Sequence, residues 1–233
     1  MNKLRRKLIK LRLQPIRVFC FHQVSEQFDA STMWECDWTQ IDQFKRNVLC
    51  LKSRYTFISL SEAHAMLKKD WLRCKKYAVM TCDDGWMSIK NIVPWLAEQQ
   101  IPVTLFVNPA YLLGEEVREN NMSGLLSNED IATMIQLYPN ITIASHGWNH
   151  QLATQQTNTE FCKSVEDSVN WLKQYHNYIP YFAYPCGRHK KEQDVLLLQR
   201  DITPVYCDGD MNYNDFRIIH RDSIDGKLVC SQD

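Results

Sequence analysis

Short apolar runs alternate with amphipathic segments along nearly the whole chain, and this alternation limits the fold more than any other feature of the sequence. Residues 16–21, 55–60, 77–82, 102–107, 141–145, 181–184 and 203–207 read as strands. The Val-Thr-Leu-Phe-Val run at 103–107 suits a strand buried on both faces. Between the strands, Trp38, Ile41, Phe44, Val48 and Leu51 recur at helical spacing, as do Phe161, Val165, Val169 and Leu172 within 159–176. Further helices are expected at 89–99, at 127–137 behind the Ser127-x-x-Asp130 capping pattern, at 191–200, and after Ser61 as N-cap. Six or seven βα units follow one another without a linker. That order implies a parallel barrel or a doubly wound sheet, in one α/β domain over residues 16–233.

Composition narrows the function classes. Lys plus Arg equals Asp plus Glu at 27 each, so no global charge points to nucleic acid. Nine cysteines, with no Cys-x-x-Cys pair, argue against a disulfide framework and a thiolate zinc finger. They read mostly as reduced core or surface thiols of a cytosolic protein. Residues 1–15 form a separate basic segment in which six cations interrupt Leu4, Leu8 and Leu11. It has no apolar core or cleavage site of a secretory signal, and it suits a short amphipathic helix on the anionic inner face of a membrane. A solvated basic tail is the alternative.

In a βα barrel the chemistry collects on the loops that follow the strands. His22, Asp83, Asp84, His146, His150, Pro185 and Gly187 all stand just after an expected strand. His64 and His176 fall in helices and read as packing or surface residues. His146 and His150 are four apart, a spacing at which two imidazoles on a helical turn face one metal. With one carboxylate of Asp83-Asp84-Gly85 they make a two-histidine, one-carboxylate site, and the neighbouring aspartate is placed to act as a general base. Taken singly, the aspartates read as a polar turn and the histidines as ordinary loop residues.

Thr81-Cys82-Asp83-Asp84-Gly85 resembles the Thr-Phe-Asp-Asp-Gly signature of the polysaccharide deacetylases, the NodB-homology group that includes carbohydrate esterase family 4. Ser145-His146-Gly147-Trp148-Asn149-His150 resembles their His-x-x-x-His motif, and Phe182-Ala183-Tyr184-Pro185-Cys186-Gly187 their Phe-Ala-Tyr-Pro-Tyr-Gly segment. Phe21-His22-Gln23-Val24 is similar to the Tyr-His-x-Val of some members. The resemblance spans roughly residues 16–225. It departs at Gly147, where many members carry Ser or Thr, and at Cys82 and Cys186, where Phe and Tyr are usual.

The resemblance implies a single-domain distorted (β/α) barrel and a metal-dependent hydrolase that removes N-acetyl groups from a carbohydrate, working in capsule, O-antigen or glycolipid assembly. It implies Asp84, His146 and His150 as metal ligands, Asp83 as base, and the backbone N–H of Cys186, beside Tyr184, Pro185 and Gly187, as oxyanion donor. The leaving amine's proton would come from His22 or from His220, with His22 favoured, and Arg221 would orient the base. Zinc is the default metal; cobalt, nickel, manganese and iron suit similar sites. The partner that the resemblance implies is an N-acetylated sugar, polysaccharide or glycolipid, and Trp86 and Trp148 are expected on an aromatic rim. Alternatives are a non-sugar amidase, a deformylase on a lipid-linked sugar, and a carbohydrate-binding or scaffold barrel without turnover.

Overall fold

A computed structural model describes residues 14–30, 35–69, 73, 75–115, 124–213 and 215–229. Most of the basic segment 1–15 therefore lies outside the described residues. Seven strands close a parallel barrel: β1 (Ile16–Phe21), β5 (Tyr77–Asp83), β6 (Val103–Val107), β7 (Ile141–Ser145), β8 (Tyr178–Ala183), β9 (Thr203–Cys207) and β10 (Ile219–Ser223). Closure comes from β1, which pairs with β10 on one side and with β5 from Ile16↔Tyr77 to Phe21↔Cys82 on the other. Outside the ring, β2 (Gln23–Ser25) pairs, among the described residues, only with β3 (Trp38–Gln40), and β4 (Thr56–Phe57) flanks the start of β5.

Strand alternation sorts each residue to one of two environments. Ile16, Val18, Val79, Phe106, Ala144, Ala183, Val205 and Ile219 share one buried cluster, the barrel interior. Their neighbours Phe19, Phe21, Met80, Leu105 and Ile143 face outward into a second cluster with the helices. There α1 (Ile41–Arg54) buries Phe44, which packs on Phe21 at 4.6 Å between ring centroids. A Phe44→Ala change would cost about 3–5 kcal/mol through lost burial and the cavity left behind. The N-terminal mouth of the barrel is closed by α2 (Leu60–Lys68), whose Leu60, Ala63 and Leu67 join the interior cluster. The outer layer continues with α3 (Val93–Glu98), the single turn α4 (Pro109–Leu112), α5 (Asn128–Leu137), α6 (Asn158–Leu172) and α7 (Lys191–Leu198). Among the described residues, no helix is long and apolar enough to cross a membrane.

Several local expectations need correction. Trp38 belongs to β3, and the helical stripe starts at Ile41. The strand expected over 55–60 shrinks to two residues because Ser59, not Ser61, caps α2 through a reciprocal pair with Glu62. The 89–99 helix divides into a 3-10 turn (Met87–Asn91) and α3, with Pro94 in the first turn of the latter. The 159–176 helix ends at Leu172, and β8 begins at Tyr178, earlier than expected. The β2–β3 ribbon and β10 were not expected, being short or charged. Among the described residues six cysteines stand outside any disulfide, in line with mostly reduced thiols, and Cys50 is disulfide-bonded. Spacing along a chain does not reveal which cysteines meet in space.

Candidate active site

Interior side chains change character at the C-terminal end of the barrel, where apolar layers give way to Thr81, Arg221 and then Asp83, His22 and Ser223. Arg221 is almost fully buried, and its guanidinium grips Asp83 with both arms: Nη1 donates to Oδ1 at 2.6 Å and Nη2 to Oδ2 at 2.8 Å. Its remaining donors reach Thr81 Oγ1 (3.1 Å) and the Tyr206 carbonyl (3.3 Å), and the Phe106 ring lies 5.0 Å away. Burial opposes a charge on Asp83, but the Arg221 guanidinium holds its carboxyl below the usual carboxylate range. Asp83 is a fixed, ionised acceptor.

Asp84 points elsewhere because the strand stops there. Its φ of +72° and the +74° of Gly85 turn the chain out of strand geometry, so adjacent carboxylates diverge. Gly85 is required: a Cβ there would sit 3.3 Å from Val107 Cγ1 in a conformation that disfavours side chains. Asp84 Oδ2 accepts from Trp86 Nε1 at 3.1 Å, while Oδ1 lies 3.3 Å from His146 Nε2 and 3.2 Å from His150 Nε2. Trp86 is therefore a buried support of the carboxylate and not part of an aromatic rim; Trp148 is half-buried and does not line the cavity either.

The two histidines do not meet on a helical turn as their spacing suggested. Residues 146–150 form a loop with positive φ at Gly147 (+82°) and His150 (+61°). Asn108 and α4 strap this loop: Asn108 Nδ2 donates to the carbonyls of His146 and Gly147 (2.6 and 3.1 Å), and Tyr111 Oη to that of Asn149 (2.8 Å). His146 Nδ1 donates to the Ala183 carbonyl at 2.9 Å, which fixes the tautomer and leaves Nε2 with a lone pair aimed at Asp84. A lone pair and a carboxylate oxygen at that distance repel unless a cation lies between them. One ligand atom from each of Asp84, His146 and His150 lies within 4.8 Å of the other two. The donor set thus fits a divalent metal of the kind bound by two imidazoles and a carboxylate.

Across the cavity His22 donates from Nδ1 to Asp225 Oδ2 (2.7 Å), and the same carboxylate accepts from the His22 backbone N–H (3.0 Å) and Ser223 Oγ (3.0 Å). Nε2 is the ring nitrogen left for the cavity. Burial lowers the affinity of this imidazole for a proton, but Asp225, Asp83 and Asp84 outweigh it and bring its pKa to about 10. His220, the other candidate acid, has the opposite strand parity. It faces outward to Asp208 (2.8 Å) and is absent from the cavity lining. His64 is buried in packing, with Nδ1 on Tyr181 Oη at 2.7 Å, and His176 is exposed.

The cavity has a volume of about 360 Å³, within the usual range for small-molecule sites. His22, Asp83, Asp84, His146, His150, Tyr184, Cys186, Gly187 and Arg221 all line it; Pro185 lies in the same turn. Cys186 has φ +54°, followed by Gly187 at +67°, and Tyr184 is held behind the turn by a hydrogen bond to Asp194 (2.9 Å). Cys82 faces outward, so its small side chain leaves the cavity unchanged. Residues unanticipated from the sequence are Asp225 and Ser223, Cys36 and Asp37 from the β2–β3 connection, Cys207, and the supports Asn108, Tyr111 and Asp194. Asp225 stands two residues after β10, and placing that strand would have flagged it.

A seven-stranded parallel barrel with paired carboxylates and histidines at its C-terminal mouth defines a hydrolase-like scaffold. The model of the family described as polysaccharide deacetylase matches residues 73–203, and the chain belongs to that family of hydrolases. Among solved structures, IcaB from Ammonifex degensii superposes with a TM-score of 0.76 at 19% identity, covering 91% of this chain and 93% of that one. The Streptococcus pyogenes deacetylase PplD, solved in complex with acetate, gives 0.75 at 19% identity over 91% and 93% of the two chains. A de-N-acetylase from Aggregatibacter actinomycetemcomitans gives 0.73 at 15% identity over 91% and 95%. These likenesses show a shared fold. No curated protein matches the sequence.

Proposed function

We propose that the protein is a metal-dependent hydrolase that removes N-acetyl groups from a carbohydrate, either a polysaccharide or a glycolipid precursor. The observation that carries this reading is the meeting, in one cavity, of the Asp84–His146–His150 donor set, the Asp83–Arg221 pair and the His22–Asp225 pair. A divalent cation, zinc by default, held by Asp84, His146 and His150 would polarise the acetamide carbonyl and acidify water. Asp83 takes the proton of the attacking water, and Arg221 keeps its carboxylate in place. As water adds to the acetyl carbon, the backbone N–H of Cys186 donates to the developing oxyanion. His22, protonated on Nε2 and held by Asp225, gives that proton to the leaving nitrogen as the C–N bond breaks. Acetate and a free amine result. Two structural relatives, a deacetylase solved with acetate and a de-N-acetylase, support the same reaction class.

The test begins with metal. Purified protein should hold about one divalent ion per chain, and the Asp84→Ala/His146→Ala variant should hold none; wild type should then release acetate from N-acetylated oligosaccharides. A wild-type protein that binds no metal after reconstitution would sink the mechanism. For location, the six cysteines outside any disulfide among the described residues support a cytoplasmic protein, with the basic segment on the inner face of a membrane. The Cys50 disulfide favours an oxidising compartment instead, and thiol trapping in intact cells decides between the two.

A further inference from the structure

At the pole of the barrel opposite the cavity, three large apolar side chains stand partly exposed on the segment between β9 and β10: Met211 (36%), Tyr213 (42%) and Phe216 (42%). Asn212 fixes this segment to the first residue of β1, exchanging backbone and side-chain hydrogen bonds with Ile16 at 2.8 and 3.2 Å. The helices run against the strands, so their C-terminal turns reach the same pole. Lys52 and Arg54 end α1 and Lys68 ends α2, a placement that also suits the helix dipole. Lys75 and Lys76, both exposed, lead into β5.

Apolar and basic groups are interleaved here. Lys68 Nζ lies 5.9 Å from the centre of the Phe216 ring, and Tyr213 Oη reaches Met211 Sδ at 3.7 Å. Arg73 donates to the carbonyls of Tyr213 and Gln14 and so ties Gln14 to the aromatic segment. Aromatic side chains ringed by lysine and arginine partition into the head-group region of anionic bilayers, where each cation contributes about 1 kcal/mol, or roughly fivefold in affinity.

We infer that this pole docks on an anionic lipid membrane, with Tyr213 and Phe216 as anchors and Lys68, Lys75 and Lys76 as the electrostatic attachment. The inference extends the membrane proposal from the basic segment to the folded barrel and is independent of the hydrolase reading. It also orients the molecule. The seven residues of β5, at about 3.3 Å each along a tilted strand, hold the cavity roughly 20 Å from the lipid and facing away from it. Acetamides on a carbohydrate chain that extends from the surface come within reach, whereas those on a sugar joined directly to lipid do not.

The full chain is floated with vesicles of phosphatidylcholine alone and of phosphatidylcholine mixed with phosphatidylglycerol. A Tyr213→Asp/Phe216→Asp variant and a Lys68→Glu/Lys75→Glu/Lys76→Glu variant are tested beside it. Wild type is expected to float only with the anionic vesicles and to release as salt rises. Each variant should lose about tenfold or more in apparent affinity with unchanged circular dichroism. Should the aromatic variant misfold, the charge variant and the salt dependence carry the test. Equal flotation of wild type and both variants would overturn the inference, because the basic segment alone would then bind. No flotation of wild type, or a dimer that the aromatic variant converts to monomer in light scattering, would overturn it as well. Flotation is read without substrate, so its failure is distinct from a failure of the hydrolase reading.

Discussion

Replacing Asp225 by Asn keeps the shape of the side chain and removes the charge that His22 bonds at 2.7 Å. Burial is the largest influence on His22 and disfavours the imidazolium; the Asp225 hydrogen bond and charge, with Asp83 and Asp84 behind them, bring its pKa from 6.5 to about 10. A proton donor acts only while protonated, so activity is full below that pKa and is lost as pH rises through it. With a neutral amide in place of Asp225, the descending limb should move from near 10 to about 6.5 or lower. At about pH 8 the protonated fraction then falls from about 0.99 to about 0.03, a roughly thirtyfold loss in kcat/KM. Stability follows the same sign. The raised pKa contributes stability that is fully present below 6.5 and is lost as pH rises through about 10. A bound cation offsets the share of Asp84, so wild type and variant are compared at equal metal loading. The assay is kcat/KM for acetate release across the pH range, with the His22 ring proton followed by NMR. An unmoved limb would refute the reasoning, because Asp225 would then not govern the proton on His22.

Arg221→Ala should destabilise the fold by about 3–5 kcal/mol in urea denaturation, because it leaves Asp83 ionised and buried without its partner; Arg221→Met/Asp83→Asn should recover much of that loss, and no recovery would count against the pair as its source. His22→Ala should lower kcat by about 10²–10⁴-fold while His220→Ala stays close to wild type, and equal effects would contradict the outward placement of His220. Cys207 is held at a pKa of about 7, mainly by a hydrogen bond from Cys20, and it lines the cavity. Iodoacetamide near neutral pH should label it ahead of buried Cys20 and Cys82, read by peptide mass spectrometry; equal labelling would show that the thiolate is not favoured.

Much of this site could be read from the chain because strand ends and loop chemistry coincide. Apolar runs marked β1, β5, β6, β7 and β9 to within a residue or so, and His22, Asp83 and His146 directly follow the runs of β1, β5 and β7. β10 escaped notice because Arg221 and Ser223 sit inside the barrel beside the apolar Ile219, so the strand reads as a polar stretch. Without β10 there was no parity argument to separate His220 from Arg221, and no strand end to direct attention to Asp225. The meeting of His146 and His150 was legible, but its cause was not: the loop depends on positive φ at Gly147 and on Asn108, which is distant in sequence. Trp86 and Trp148 misled because their composition suits sugar stacking, whereas burial assigns Trp86 to the support of Asp84.

The β2–β3 ribbon has consequences for how such a protein changes over time. Every group proposed for bond breaking follows or belongs to a barrel strand, whereas Cys36 and Asp37, which form one wall of the cavity, hang between two short strands that pair with each other. Among the described residues, that connection contributes no pairing to the barrel sheet, so change within it leaves the barrel strands paired as they are. Substrate choice can therefore drift in the ribbon while the reaction is inherited with the barrel, so relatives that share the chemistry need not share a sugar.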